Sequence, residues 1–126
     1  MSSRLTVLVA EDYSDFRRGL LDLLEPLGLE CIPVQNGQLA IEVIEDLSRE
    51  LHLIITDLDM PVKIGWDVIE AAREHRGEEL PIILQTGEAT YPYVMRKAGD
   101  LGIPLIHKPD VPVRLVPAVR EALKLE

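Results

Sequence analysis

Apolar residues in this 126-residue chain gather in five short runs, separated by stretches whose apolar positions follow helical spacing. Leu53, Ile54 and Ile55 form the most informative run, and Asp57 stands at its carboxyl end. A short, β-branched run without alternation predicts a strand buried on both faces, as in a parallel sheet. Leu5–Ala10 and Leu29–Val34 predict the first two strands. Pro33 assigns the second to an edge, because proline cannot donate to a ladder. Pro81–Leu84 and Leu105–His107 predict the fourth and fifth.

The intervening spacings predict helices. Phe16, Leu20, Leu23, Leu24 and Leu27 mark the first, capped by Ser14 or Asp15 and ended by Gly28. Asn36-Gly37 turns the chain into a second around Leu39, Ala40, Val43, Ile44 and Leu47. A third runs from Gly65 to about His75 and a fourth from Tyr91 to Leu101, with Pro92 tolerated near its start. The fifth is expected to begin near Leu115, which keeps Pro117 in its first turn, where no backbone N–H is needed. Five βα units predict an α/β fold, a parallel sheet covered on both faces with right-handed crossovers.

Composition narrows the function. The length suits one domain, residues 1–126, without staples. Only 4% of residues are aromatic, so the core is aliphatic. A net charge of −9 opposes direct binding to nucleic acid or an anionic membrane. The single cysteine, Cys31, excludes an intramolecular disulfide and is expected to be an inert buried thiol. His52, His75 and His107 have no metal-ligand spacing, and Trp66 reads as a half-buried helix residue. No signal peptide or membrane-length apolar run is present, so a cytoplasmic location is expected.

The candidate chemistry lies at the strand ends. Glu11-Asp12, Asp57, Thr86 and Lys108 close strands one, three, four and five, and parallel strands bring those ends to one edge of the sheet. Each has an ordinary structural reading when taken singly; the order and placement of all four are specific. Three crowded carboxylates repel one another unless a hard cation joins them, and magnesium accepts two or three protein oxygens while keeping waters. Lysine supplies a point charge and threonine a hydroxyl donor, both suited to an anionic oxygen group. An aspartate so placed is equipped to attack phosphorus.

These residues resemble the receiver domain of two-component response regulators. The likeness is carried by Glu11-Asp12 in VLVAED, by Asp57, Met60, Pro61 and Gly65 in DLDMPVKIG, by Thr86 in ILQTG, and by Lys108-Pro109 in IHKP. The resemblance implies a flavodoxin-like doubly wound (βα)5 domain of strand order 2-1-3-4-5. It implies that Asp57 takes a phosphoryl group from a histidine kinase or a histidine phosphotransfer protein. Asp12, Asp57 and the backbone carbonyl of Asp59 would hold Mg2+, with Glu11 acting partly through water. Lys108 would pair with the phosphoryl oxygens, Thr86 would donate to one of them, and Pro61, Gly65 and Pro109 would shape the loops. Such a domain is a signalling phosphoacceptor rather than an enzyme, and catalyses only its own phosphorylation and dephosphorylation. Its output is a protein contact, which allows a phosphorylation-dependent dimer.

The chain departs from the pattern at Leu105, where receivers usually carry Tyr or Phe as the switch partner of the threonine. The expectation is that phosphorylation moves the loop after Thr86 with little displacement of Leu105. Gly87 opens access to Asp57, Glu88 and Asp59 add negative charge at the rim, and Tyr91 and Tyr93 are candidates for a partner surface. The IPLIHKP stretch resembles receivers fused to hybrid histidine kinases, so a receiver from a longer chain is an alternative to a stand-alone protein. TDLDM also has the Asp-x-Asp of a haloacid-dehalogenase-type phosphatase, but Met60-Pro61 follows it and an acid pair precedes it on another strand.

Overall fold

The computed structural model describes residues 4–125. Five strands, β1 (Thr6–Ala10), β2 (Glu30–Val34), β3 (Leu53–Asp57), β4 (Ile82–Thr86) and β5 (Leu105–His107), form one sheet in the order β2-β1-β3-β4-β5. Every pairing is parallel. The helices are α1 (Ser14–Leu24), α2 (Gly37–Glu45), α3 (Gly65–Arg76), α4 (Pro92–Asp100) and α5 (Val111–Leu123). This is the flavodoxin-like doubly wound architecture expected from the sequence. Pro33 does lie on an edge strand, opposite Val9.

Alternation along the strands divides the core in two. Val7 and Val9, Leu53 and Ile55, Ile83, and Ile106 pack against Leu20 and Leu24 of α1 and Val111, Leu115 and Val119 of α5. Leu8, Ala10, Ile54 and Leu84 face the other way, onto Ala40 and Ile44 of α2, Val68 and Ile69 of α3, and Val94 of α4. Each fully buried leucine or isoleucine contributes roughly 1.5–3 kcal/mol. The core is as aliphatic as the composition requires.

Several boundaries differ from the expected ones, each for a local reason. The fifth helix starts at Val111, not near Leu115, so Pro112 takes the first turn and Pro117 lies in the interior. Pro117 removes the donor that the Val113 carbonyl would receive. Both residues are exposed, Val113 by 76%, on the side of the helix where water is at hand. Neither Ser14 nor Asp15 caps α1; Tyr13 occupies that position without a side-chain cap. Gly28, at φ 81°, closes a 3-10 turn over Glu25–Leu27 that follows α1. Helix α2 stops before Leu47, which is exposed, while Asn36 caps its start by accepting the Leu39 N–H at 2.8 Å. Cys31 is half-buried rather than buried; desolvation, then the nearby Glu25 charge, pushes its thiol up to about 11, so it stays protonated and inert.

Candidate functional site

The alternation that builds the core on the α1/α5 face also builds the site. Glu11 stands two residues beyond Val9, Asp57 two beyond Ile55, Gln85 two beyond Ile83, and Lys108 two beyond Ile106. The site is therefore the polar last layer of an otherwise aliphatic core, at the carboxyl edge of the sheet. Glu11 is completely buried and Asp57 nearly so, whereas Asp12 is exposed and opens the cluster to water.

Lys108 ties this layer together. Its Nζ lies 2.9 Å from Asp57 Oδ2 and 3.2 Å from Glu11 Oε1. The same ammonium sits 4.8 Å from the centre of the Phe16 ring, a cation–π contact that screens one side of it from water. Asp57 Oδ1 accepts the Leu58 N–H at 2.7 Å and, more weakly, the Asp59 N–H at 3.4 Å. Glu11 Oε2 accepts the Tyr13 N–H at 3.1 Å, and the Glu11 carbonyl accepts from Arg17 Nη1 at 2.7 Å.

Burial dominates the electrostatics of Asp57. Desolvation pushes its carboxyl up to about 6, against the pull of the Lys108 hydrogen bond, and the neighbouring Glu11 charge adds to the rise. Burial draws Lys108 down, but its contacts with Asp57 and Glu11 outweigh that and hold it above the ordinary lysine value. Two buried carboxylates thus share one cation, and an excess of negative charge remains. Glu11, Asp12 and Asp57 each offer a carboxylate oxygen, all within 4.8 Å of one another. Hard oxygen donors in that number, partly open to water, fit magnesium well.

The loop after β3 is held against the strand by a close approach. A Cβ on Gly65 would lie 2.4 Å from the Asp57 carbonyl oxygen, so only glycine fits there, and its N–H donates to the Leu58 carbonyl at 2.7 Å. Pro61 and Asp59 are exposed along this loop, and Pro109 lies in a 3-10 turn directly after Lys108. Thr86 is set apart. It belongs to the opposite sheet face, two residues beyond Leu84, and its Oγ1 accepts the Glu88 N–H at 3.1 Å. Leu105 is half-buried against the α2–α4 core, and Tyr91 and Tyr93 are exposed at the start of α4 with ring centres 6.2 Å apart.

Three features escaped the sequence reading. Gln85, fully buried, donates to Glu11 Oε1 at 2.9 Å; a polar residue inside the run IILQT was the available signal. Gly37 is pressed against the Lys63 carbonyl, 2.1 Å from where its Cβ would be, which joins the start of α2 to the loop after β3. Val62 sits at φ 71° with the Lys63 N–H bonded to the Pro61 carbonyl at 2.8 Å, a strained three-residue turn that composition does not announce.

Comparison with known proteins agrees with this fold. The family model described as the response regulator receiver domain matches residues 7–120. A 3',5'-cyclic-nucleotide phosphodiesterase, regA of Dictyostelium discoideum, is 32% identical over 88 residues, which are 69% of this chain and 11% of that protein. The chain likewise spans only 35% and 19% of two further curated relatives. Among solved structures, a CheY-like response regulator receiver domain protein from Methanospirillum hungatei superposes with a TM-score of 0.86 at 23% identity, covering 97% of this chain and 95% of that one. The response regulator TrrA of Thermotoga maritima, solved in complex with Mg(2+)-BeF, gives 0.79 at 25% identity, covering 94% and 99%.

Proposed function

The chain belongs to the response regulator receiver family, which acts in two-component signalling, and we propose that Asp57 is its phosphoacceptor. The observation that carries this reading is the shared ammonium of Lys108, 2.9 Å from the Asp57 carboxylate at the open edge of the sheet. The donor is a phosphohistidine on a histidine kinase or a histidine phosphotransfer protein. An Asp57 oxygen attacks phosphorus, the P–N bond to the donor imidazole breaks, and the imidazole keeps the electron pair. The product is an acyl phosphate on Asp57.

Each neighbour has a part in that transfer. The Leu58 and Asp59 N–H groups hold the carboxylate in orientation from the Oδ1 side. Lys108 then pairs with negative charge on the phosphoryl oxygens, which moves it away from a carboxylate that has lost its own charge. Thr86 donates to another of those oxygens, and moving toward it displaces the hydroxyl that now accepts the Glu88 N–H. Asp12, Asp57 and the Asp59 carbonyl would hold magnesium, with Glu11 acting partly through water. Magnesium, when bound, offsets the negative charge that the carboxylates and the phosphoryl group bring together. The fit of the Glu11, Asp12 and Asp57 oxygens to a hard cation supports magnesium at this edge of the sheet, as does the Mg(2+)-BeF complex of the Thermotoga relative.

Residues 1–126 form one receiver domain, cytoplasmic in this reading, whose acyl phosphate is the signal and whose own catalysis is confined to making and hydrolysing it. The described helices include none long and apolar enough to cross a membrane. The exposed Tyr91, at the cap of α4, and Tyr93 and Met95 on the helix offer the protein contact through which the signal leaves. Family membership leaves the haloacid-dehalogenase alternative without support. Magnesium-dependent labelling by acetyl phosphate tests the reading. One label per chain is expected in the wild type and none in Asp57→Asn, without turnover of p-nitrophenyl phosphate. Equal labelling of both chains would overturn it.

A further inference from the structure

Gln85 lies in β4 two residues beyond Ile83, with its side chain completely buried. A buried amide is a net cost unless both of its ends are bonded. Here only one is. Nε2 donates to Glu11 Oε1 at 2.9 Å, while Oε1 of Gln85 is the one buried side-chain polar atom without a partner among the described residues. The orientation of the amide follows from chemistry, since a carboxylate takes the NH2 end and repels the carbonyl end. The site, not the fold, explains the amide.

The contacts around Glu11 show what Gln85 does. Glu11 Oε1 receives Gln85 at 2.9 Å and Lys108 at 3.2 Å; Oε2 receives the Tyr13 N–H at 3.1 Å and Lys108 at 3.3 Å. Gln85 makes the shortest of these contacts, and Lys108 makes its own shortest contact with Asp57, at 2.9 Å. We propose that Gln85 is a positioning residue that satisfies Glu11 with a neutral donor and so keeps the Lys108 ammonium directed at Asp57. Without that amide, Glu11 Oε1 has only the ammonium to turn to, and a buried charge short of partners draws the nearest cation toward itself. A second cation in place of Gln85 would also satisfy Glu11, but it would compete for the phosphoryl oxygens. The amide avoids both outcomes. This inference rests on Asp57 as the phosphoacceptor and assigns a role to a residue that the receiver motif does not include.

Gln85→Met removes the donor while nearly preserving volume, and Gln85→Leu guards against a packing fault peculiar to methionine. The rate of labelling by acetyl phosphate, at saturating magnesium, is expected to fall about ten-fold in either variant, as for loss of one hydrogen bond to a charged group. The urea midpoint is expected to change little, because the unpartnered carbonyl is lost together with the bond to Glu11. In a Glu11→Gln background the same substitutions are expected to change the rate less than about two-fold, since the amide acts through Glu11. An unchanged rate in both single variants, or an equal loss in both backgrounds, overturns the role of Gln85 alone. A wild-type chain that takes no label overturns the reading of Asp57 beneath it.

Discussion

Lys108 Nζ, on the turn that follows β5, stands 2.9 Å from Asp57 Oδ2 at the end of β3, two strands away in the sheet. The contact passes the end of β4, so it depends on the register of three strands at once. It also leaves one cation between two buried carboxylates. The site carries more negative charge than its lysine offsets, and that imbalance has consequences that solution experiments can measure.

The first is a pH dependence. The folded Asp57 carboxyl binds its proton more tightly than the unfolded one, about 6 against the ordinary 3.8. A raised acid favours the fold fully below the unfolded value, and that advantage is lost as pH rises through the folded value. In metal-free buffer the wild type therefore loses stability relative to Asp57→Asn between pH 4 and pH 6, by about 3 kcal/mol in all. Urea denaturation of both chains in chelator, at pH 4 and pH 7.5, checks it. Asp57→Asn is expected to be the more stable protein at the higher pH.

Magnesium should offset part of that deficit. A ligand bound only to the folded chain, at ten times its dissociation constant, stabilises by about 1.4 kcal/mol. Asp12 is exposed and supports no core packing, so Asp12→Ala tests the site without disturbing the fold. Thermal denaturation with magnesium and with chelator is expected to separate the two conditions clearly in the wild type. The separation should nearly vanish in Asp12→Ala.

The apolar pattern carried the fold well, because strands buried on both faces leave little freedom in reading Leu53–Ile55 or Ile82–Leu84. Glu11, Asp57 and Lys108 were also evident, since strand ends in a parallel sheet share one edge. Long-range satisfaction of polar groups was not. The Gln85 amide is spoken for by Glu11, 74 residues away in the chain, and no spacing rule encodes that. Pro117 misled for a related reason: a helix-breaking residue was used to place a boundary, but an exposed carbonyl tolerates the missing donor where water can replace it. Thr86 sits at the expected strand end yet on the other face of the sheet, because alternation separates it from Asp57 at rest.

Two glycines hold the loop that follows Asp57, and both should resist the smallest substitution. A Cβ at Gly65 would meet the Asp57 carbonyl oxygen at 2.4 Å, and one at Gly37 would meet the Lys63 carbonyl oxygen at 2.1 Å. Backbone atoms cannot step aside as a side chain can, so each alanine variant is expected to cost on the order of 1–3 kcal/mol. Urea midpoints measure the cost. Gly65→Ala also displaces the backbone that carries Asp57, so its labelling rate should fall well below that of Gly37→Ala, whose clash lies farther along the loop.

If Asp57 takes the phosphoryl group, the signal's route away from it can be followed at two positions in one experiment. Thr86 Oγ1 accepts the Glu88 N–H at 3.1 Å, and Thr86 lies on the sheet face turned away from Asp57. Drawing its hydroxyl to a phosphoryl oxygen moves the acceptor of that N–H, so the Glu88 amide should report the event directly. Leu105 is packed at the edge of the α2–α4 core, and an aliphatic side chain offers neither a ring to turn nor a hydroxyl to redirect. Beryllofluoride with magnesium is therefore expected to shift the amides of Gly87 and Glu88 strongly and that of Leu105 weakly in an NMR titration. Thr86→Ala should abolish the Glu88 shift while leaving beryllofluoride bound. Equal large shifts at Leu105 and Thr86 would mean that leucine performs the coupling usually given to an aromatic ring, and that the fifth strand moves with the loop.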